Sequence, residues 1–223
     1  QYTKVSYRQV HPVDATMSDA ELATFACSYV TAENMLNRGA VTASDTVLVT
    51  GASGGVGSAL IQLANRRGAQ CVALCGADKA DAVKAVGPSA VIDRACADLG
   101  SALRDAIGKD SVDVVADVVG GVLWPQLITA LTRGGRYTCA GAIGGPIVEF
   151  DLRTFYLRDL TFTGATVPPP GVFEDLVGYI ERDEIRPLLA ATYALEDFHA
   201  AQQAFIEKRH VGNIVTEPFR SDP

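Results

Sequence analysis

The stretch Thr46–Gly57 reads TVLVTGASGGVG and predicts more about this 223-residue chain than any other part of it. Four residues with high β-propensity lead into a loop that contains four glycines. A helical pattern with Val56, Leu60 and Leu63 on one face follows, and Gly68 is placed to end it. A strand, a glycine-rich turn and a helix in this order can hold a pyrophosphate at the helix N-terminus.

The glycine spacing departs from the commonest dinucleotide pattern, G-x-G-x-x-G, because Ser53 stands where the second glycine would be. The spacing present is Gly51-x-x-Gly54-x-x-Gly57. Such a loop can also be a purely structural turn, so by itself it is a weak indication. The strand before it, the helix after it and a second strand at 71–75 favour dinucleotide binding. No Gly-Lys-Ser/Thr follows, which argues against a P-loop.

Strand and helix patterns alternate beyond this loop. We predict strands at 46–50, 71–75, 90–92, 112–118, 135–141 and 160–166, and helices at 55–67, 79–86, 97–107 and 121–132. The strands are apolar on both faces, as in Val112–Val119, and such runs are typical of a parallel sheet with helices on both sides. The fold class is therefore α/β, with a Rossmann-type doubly wound parallel sheet.

The two ends of the chain lie outside this alternation. Residues 1–13 are predicted to form one or two strands. Ser18 and Glu21 make a capping box, so a helix begins there and continues, with a break near 27–31, to about Arg38. The C-terminal part is predicted to contain helices at 172–182 and 195–208 and a strand at 212–216.

The composition argues against several partners. A net charge of −7 and a pI near 4.9 argue against nucleic acid and anionic membrane surfaces. No apolar stretch reaches the roughly 20 residues that a membrane-spanning helix needs. The five cysteines show neither disulfide-like nor zinc-ribbon spacing, so we expect a reducing, cytoplasmic location.

The end of the second strand distinguishes the two nicotinamide dinucleotides. In NAD-binding proteins an acidic residue at this place holds the ribose 2′-hydroxyl. Here Cys75 and Gly76 occupy it, Asp78 comes later and Lys79 follows. A 2′-phosphate would not be repelled, and Lys79 could add a charge-assisted hydrogen bond. We favour NADP over NAD; the alternative is that Lys79 is an ordinary solvated lysine on a helix.

The chain resembles the medium-chain dehydrogenase/reductase superfamily, in its zinc-type alcohol dehydrogenase and quinone oxidoreductase branches. The segments that carry the resemblance are Val47–Gly57, Leu60–Ala64, Asp113–Gly121, Gly134–Tyr137 and Gly212–Pro218. The last resembles the family's closing Gly-Lys-Ile-Val-Leu-x-Pro, with Asn213 where lysine is common. The resemblance covers nearly the whole chain, and its segments are specific as a set.

The resemblance implies a set of cofactor-binding residues. The glycine loop would meet the pyrophosphate, the end of the second strand the adenosine ribose, the fourth strand the adenine side and the fifth strand the nicotinamide. The residues so implied are Gly51, Ser53, Gly54, Gly55, Val56, Gly57, Cys75, Gly76, Lys79, Val118, Val119, Ala140, Gly141, Ala142 and Asn213.

Cys27–Thr31 resembles the family's Cys-x-x-x-Thr, in which the cysteine is a catalytic zinc ligand and the threonine lies near the nicotinamide. The resemblance thus implies Cys27 as a metal ligand and Thr31 as a catalytic residue; alternatively Cys27 is a buried thiol in a helix. The family's GroES-like domain, which supplies the other ligands, is mostly absent. His199 and His210 are expected to be solvated, so we expect zinc only in a longer parent chain.

The function implied is that of an NADP(H)-dependent oxidoreductase, which transfers hydride to or from a small-molecule carbonyl, alcohol or activated alkene such as an enone. Two alternatives stay open. The chain could be a cofactor-binding module without activity of its own, because the catalytic half is missing. A short-chain dehydrogenase is disfavoured because no Tyr-x-x-x-Lys pair is present; the fourth residue after Tyr137, for example, is Gly141.

The same resemblance implies a domain division: 1–40, the remnant of a GroES-like catalytic domain with its connecting helix; 41–170, the Rossmann domain; and 171–223, the C-terminal helices and closing strand. Because Gln1 is not a start methionine, we expect the chain to begin inside a longer protein. Segment 160–167 is predicted to be the final strand of the sheet and lacks lysine, glutamate and internal proline. Such an edge favours pairing, so we expect a homodimer through it.

Overall fold

One parallel sheet forms the centre of the molecule, as seen in a computed structural model that describes residues 3–218. Its strands are β1 (Thr46–Val49), β2 (Gln70–Cys75), β3 (Ala90–Asp93), β4 (Val112–Asp117), β5 (Leu131–Cys139) and β6 (Thr161–Gly164). Their order is β3-β2-β1-β4-β5-β6, and all neighbouring pairs are parallel. This is the Rossmann order, which reverses between β1 and β4, so the predicted fold class is confirmed.

Helices flank the sheet. They are α1 (Asp19–Ala23), a π-helical turn (Phe25–Tyr29), α2 (Val30–Arg38), α3 (Gly55–Arg66), α4 (Ala80–Lys84), α5 (Leu99–Ile107), α6 (Trp124–Thr129), α7 (Leu152–Tyr156), α8 (Val172–Glu181) and α9 (Phe198–Glu207). Short 3₁₀ turns occur at Tyr7–Gln9, Ala77–Lys79, Gly121–Leu123 and Leu195–Asp197. The strands β7 (Leu189–Ala194) and β8 (Asn213–Glu217) form a separate parallel pair.

The sheet is buried on both faces, as its apolar strands predict. In β1, Val47 and Val49 pack into the layer that contains α2 and α3, whereas Leu48 packs into the layer that contains α5 and α6. All three side chains have no exposed surface. Burial of side chains of this size stabilises the fold by about 1.5–3 kcal/mol each. The glycine loop after β1 is therefore attached to the most deeply buried strand of the sheet.

The helix predicted from Ser18 to about Arg38 forms in three parts. Ser18 and Glu21 make the reciprocal hydrogen bonds of a capping box at the start of α1. The break expected near 27–31 is the π turn, which inserts an extra residue between α1 and α2. Gly68 adopts φ +78° just after α3, so its predicted role in ending that helix is confirmed.

The prediction of strands in residues 1–13 is wrong for the part that the structure describes, 3–13, while residues 1 and 2 lie outside it. This segment holds one 3₁₀ turn, and Val5, Tyr7 and Val10 are more than half exposed. Residues with high β-propensity form a strand only where a neighbouring strand accepts their backbone hydrogen bonds. No strand among the described residues pairs with this segment.

The helix predicted at 121–132 is wrong beyond Thr129, because β5 already begins at Leu131 instead of 135. The guanidinium of Arg158 donates to the carbonyl oxygens of Ile128 and Thr129 at 3.2 and 3.3 Å. It thereby takes up carbonyls that a longer helix would have used. The partner is about 30 residues away in sequence, so local periodicity could not reveal this end.

The C-terminal segments follow the prediction in part. The predicted helices at 172–182 and 195–208 and the closing strand are present as α8, α9 and β8, while α7 and β7 were not predicted. In β7 alternate residues such as Leu189, Ala191 and Tyr193 are half-buried, a period of two that six residues display only weakly. Of the predicted C-terminal unit 171–223, residues 219–223 lie outside the described residues.

Candidate functional site

The residues predicted to bind the cofactor converge on one edge of the sheet. The glycine loop follows β1, Cys75 and Gly76 end β2, Val118 and Val119 follow β4, and Ala140–Ala142 follow β5. Because these strands are parallel, all four segments lie at the carboxyl edge, and β1 and β4 are neighbours where the strand order reverses. Open α/β sheets bind ligands in the crevice at this reversal.

Gly51 and Gly57 are required by the packing of the protein around the loop. Gly51 adopts φ +57°, and a Cβ there would lie 2.9 Å from the side chain of Val118. A Cβ on Gly57 would collide with the carbonyl oxygen of Gly51 and lie 2.6 Å from the Cα of Ala52. Side chains at these two positions would disrupt the turn and the contact of α3 with β1, whether or not a ligand is bound.

Gly54 is different, because the nearest atom to a Cβ there is the Gly51 carbonyl oxygen at 3.4 Å. Its backbone is extended, with φ −85° and ψ 174°, which any residue can adopt. Gly54 is the N-cap of α3, and the amides of Gly55, Val56 and Gly57 form the first turn of that helix. First-turn amides have no partner within their own helix and carry its positive dipole end. The space beside Gly54 is therefore suited to an anion.

The β4 and β5 loops are joined to each other by their backbones. The amide of Gly144 donates to the carbonyl oxygen of Val119 at 2.7 Å, and that of Gly121 to Gly145 at 3.1 Å. A Cβ on Gly141 would lie 3.0 Å from the Val118 carbonyl oxygen. The residues implied to lie on the adenine side and near the nicotinamide thus form one connected wall.

Asp117, which the sequence analysis did not single out, organises this wall. Its carboxylate is fully buried and accepts from the Thr50 hydroxyl at 2.5 Å, the Tyr137 hydroxyl at 2.6 Å and the amides of Val119 and Gly120 at 2.8–3.2 Å. Thr50 also accepts from the amide of Val118 at 3.0 Å. The ends of β1, β4 and β5 therefore share one buried carboxylate.

The end of β2 carries a group of charges around Cys75. Burial raises the pKa of the Cys75 thiol, and the carboxylates of Asp93 and Asp78 raise it further, while Arg94 and Lys79 oppose this rise. A Cβ on Gly76 would lie 2.5 Å from the Asp78 carboxylate and 3.8 Å from the Arg94 guanidinium. Sequence reasoning missed Arg94, because only the pairing of β2 with β3 brings it here.

Lys79, Lys208 and His210 meet beside this strand end. The Lys79 ammonium donates to the carbonyl oxygens of Lys208 and His210, the latter at 2.9 Å. Burial and then the charge of Lys79 lower the pKa of Lys208. Burial, Lys79 and Lys208 lower the pKa of His210. An anion would stabilise this positively charged cluster.

The two histidines expected to be solvated differ in the structure. His199 is exposed on α9, as predicted. His210 is half-buried, stacks on the ring of Phe205 and has its Nδ1 buried without a hydrogen-bond partner among the described residues. The prediction for His210 is therefore wrong, because α9 and the turn before β8 fold back over its ring. Sequence patterns give no signal of that packing.

Cys27 and Thr31 flank Ser28, whose hydroxyl lies against Gly55 at the N-terminus of α3. Cys27 is exposed on the π turn, so the alternative of a buried thiol is wrong, and Thr31 is half-buried one turn later in α2. Within residues 3–218 no group of three histidine, cysteine, aspartate or glutamate side chains is arranged to hold a metal ion. The described residues therefore do not fit a zinc site.

Asn213 lies against the glycine loop but directs its side chain into the protein. Its Oδ1 accepts from the Ser28 hydroxyl at 2.7 Å, and its Nδ2 lies 3.5 Å from the Leu188 carbonyl oxygen. A Cβ on Gly55 would collide with Asn213 and lie 2.5 Å from the Ser28 hydroxyl. Gly55 is thus required by this protein contact in addition to any role toward phosphate.

A Rossmann sheet with a glycine loop at its switch point defines a dinucleotide-binding class of domain. The profile of the family described as zinc-binding dehydrogenase matches residues 55–182, which is more than half of the chain. The chain belongs to this family. The resemblance inferred from the sequence is thereby confirmed, and the short-chain dehydrogenase alternative is set aside.

Individual relatives agree with this assignment. The chain is 30% identical over 182 residues to an acryloyl-coenzyme A reductase of Metallosphaera sedula, covering 81% of this chain and 53% of the relative. A crystal structure from Sinorhizobium meliloti 1021, provisionally assigned as an alcohol dehydrogenase, shares 49% identity with a TM-score of 0.91 over 94% of this chain and 58% of that one. The 2-octenoyl-CoA carboxylase reductase CinF of a Streptomyces species, in complex with NADP and 2-octenoyl-CoA, shares 26% identity with a TM-score of 0.87 over 95% and 52%.

The chain spans about half the length of curated relatives that it matches, such as the acryloyl-coenzyme A reductase of Metallosphaera sedula. Residues of those relatives that lie outside this span have no counterpart in it. Among residues 3–218, no helix has both the length and the apolar character needed to span a membrane.

Proposed function

We propose that this chain binds NADP(H) and is the cofactor-binding part of an oxidoreductase, which transfers hydride to or from a carbonyl/alcohol pair or an activated alkene. The observation that carries the proposal is the open space beside Gly54 at the N-terminus of α3, at the switch point of the sheet. A pyrophosphate there would accept hydrogen bonds from first-turn amides and interact favourably with the helix dipole. Family membership supports the same ligand class.

The preference for the 2′-phosphorylated dinucleotide rests on the cluster formed by Lys79, Lys208 and His210. The adenosine ribose of a Rossmann cofactor lies at the end of β2, and Lys79 is attached there. A 2′-phosphate would offset the charge of Lys79, which adds to burial in lowering the pKa of Lys208 and of His210. Asp78 favours NAD instead, since its carboxylate lies beside Gly76. We infer that the ammonium groups of Lys79 and Lys208 outweigh this one exposed carboxylate.

In the reaction, the cofactor supplies or accepts the hydride, and this chain binds and orients it. The wall organised by Asp117 would hold the nicotinamide side through Ala140–Ala142. The family resemblance implies that Thr31 is a catalytic residue near the nicotinamide, and Thr31 follows Ser28, which lies against the glycine loop at Gly55.

Titration of the purified chain with NADPH and NADH tests the proposal. We expect saturable binding of both, with NADPH the tighter ligand. Oxidation of NADPH in the presence of an enone, a quinone or an aldehyde then distinguishes an active chain from a binding module without activity. Absence of binding to either dinucleotide would refute the proposal.

Three further assignments belong to the same proposal. We retain the division into 1–40, 41–170 and 171–223, in which the first unit is a remnant of a GroES-like domain. A homodimer through 160–167 is proposed because β6 is an edge strand paired to β5 on one side. A cytoplasmic location is supported by the five cysteines, all of which are free thiols.

A further inference from the structure

Ser28 and Asn213 connect two parts of the molecule that are 185 residues apart in sequence. Ser28 is only 6% exposed, and its hydroxyl donates to Oδ1 of Asn213 at 2.7 Å. Both side chains occupy the space that a Cβ on Gly55 would need, so no larger residue fits at that position. The pair therefore packs against the first turn of α3, which is the proposed pyrophosphate site.

Asn213 is held firmly from the C-terminal side. Its amide donates to the Leu188 carbonyl oxygen at 2.8 Å, and the neighbouring amide of Gly212 donates to Ser53 in the glycine loop at 2.9 Å. The side chain of Gln62, on α3, makes two hydrogen bonds of 2.8 and 2.9 Å to the backbone of Arg186. Hydrogen bonds thus link the glycine loop to the start of β8, and α3 to the segment before β7.

Ser28 belongs to the π turn, which also carries Cys27 and leads into Thr31. The turn is anchored by the buried rings of Phe25 and Tyr29, whose centroids are 4.4 Å apart. π-Helical insertions are rare in helices and concentrate at functional sites. Here the inserted turn brings the Ser28 hydroxyl to the glycine loop while it leaves the Cys27 thiol exposed.

We propose that Ser28 and Asn213 are positioning residues that couple the dinucleotide loop to the π turn. When a dinucleotide pyrophosphate occupies the amides next to Gly55, it fixes the loop, and the pair transmits this restraint to the segment that presents Cys27 and Thr31. Coupling between sites is reciprocal, so the orientation of the π turn also affects dinucleotide affinity. The inference rests on the proposed cofactor binding and deepens it.

The exposed Cys27 thiol provides a readout that does not require substrate or activity. The rate of its alkylation by iodoacetamide is measured by peptide mass spectrometry with and without saturating NADPH, in the wild type, in Ser28→Ala and in Asn213→Ala. Ser44→Ala, which removes a hydroxyl paired with Thr42 outside the site, is the matched control. Thermal unfolding confirms that each variant is folded. Two single variants are used so that the test can still be made if one of them does not fold.

We expect NADPH to change the Cys27 rate by about fivefold in the wild type and the control, at the low end of typical site–site coupling. In Ser28→Ala and Asn213→Ala this change should fall to less than about twofold at NADPH saturation. An unchanged Cys27 rate in a wild type that binds NADPH would overturn the coupling alone. The coupling is also overturned if both variants retain the full effect, since the cofactor would then shield Cys27 directly. A wild type that does not bind NADPH would overturn the proposed function as well.

Discussion

The Lys79 ammonium donates to the carbonyl oxygen of His210 at 2.9 Å and so joins the end of β2 to the turn before β8. Two groups 131 residues apart in sequence thereby form one side of the proposed ribose pocket. Both partners of the Lys79 ammonium are backbone carbonyl oxygens, which carry no formal charge. Burial, and then the charge of Lys79, lower the pKa of both Lys208 and His210, so an anion bound beside these groups would be favourable.

Lys79→Ala should weaken NADPH binding about tenfold and leave NADH nearly unchanged, because only the 2′-phosphate loses a partner. Fluorescence titration with both dinucleotides measures this. Lys84→Ala is the control, since Lys84 lies on the adjoining helix and pairs with the exposed Asp81. Equal weakening of NADPH and NADH would show that Lys79 acts through the fold, as a tie to the turn at His210, and not through the phosphate.

The glycine loop allows a test that separates binding from folding. Gly54→Val should abolish binding of both dinucleotides while the thermal midpoint changes little, because a side chain fits the protein there but occupies the anion space. Gly57→Val should prevent cooperative folding, because its side chain would enter the backbone of Gly51 and Ala52. Calorimetry and titration on both variants decide; undiminished affinity in Gly54→Val would mean that the pyrophosphate binds elsewhere.

The roles of these glycines show which features of the site can be predicted from the sequence and which cannot. A strand, a glycine turn and a helix are local patterns, and parallel order follows from apolar strands between helices, so the carboxyl-edge site was predictable. The separate reason for each glycine was not. Gly55 is required because Ser28 and Asn213, from the two ends of the chain, meet at its Cα. Arg94 and Asp117 were missed because their neighbours come from other strands.

The metal prediction follows from the isolation of Cys27. The chain alone should hold well under one zinc per molecule, since a catalytic zinc needs three protein ligands. Elemental analysis after dialysis against a weak chelator measures the content, and Cys27→Ser serves as the comparison. A tightly bound, stoichiometric zinc that disappears in Cys27→Ser would contradict the lack of fit in residues 3–218.

A buried ion pair between α2 and α3 predicts a pH effect on stability. Arg67 Nη2 lies 2.7 Å from Glu33 Oε1, and burial raises the pKa of Glu33 despite the attraction of Arg67. A carboxyl whose folded pKa is raised stabilises the fold most below its unfolded value of 4.5, and that share is lost as pH rises through the folded pKa. Wild type should therefore gain stability relative to Glu33→Gln on acidification from pH 7 to about pH 5.

Urea unfolding of both proteins across this range measures the difference. As a second arm, Arg67→Met at neutral pH should cost about 3 kcal/mol, because Glu33 is then left buried without its partner. The exposed pair of Arg104 and Asp110 is the control, and Arg104→Met should cost less than about 1 kcal/mol. A wild type and Glu33→Gln that keep a constant difference across the pH range would disprove the raised pKa.

The last prediction concerns the edge of the sheet. The amide of Ala165, the first residue after β6, donates to the carbonyl oxygen of Cys139 in β5 at 2.8 Å. Since every second residue faces the same neighbour, the backbone of Thr163 also faces β5, whereas Phe162 and Gly164 direct their backbone groups away from the sheet. These outward groups are the ones that a second copy would pair with across a twofold axis.

We expect a dimer at micromolar concentration, and Gly164→Pro should convert it to a folded monomer because it removes an outward donor. Thr163→Pro should instead lower the thermal midpoint, because it breaks the ladder with β5. Light scattering with calorimetry separates these outcomes; a monomeric wild type, or a dimer that persists in folded Gly164→Pro, would exclude β6 as the interface.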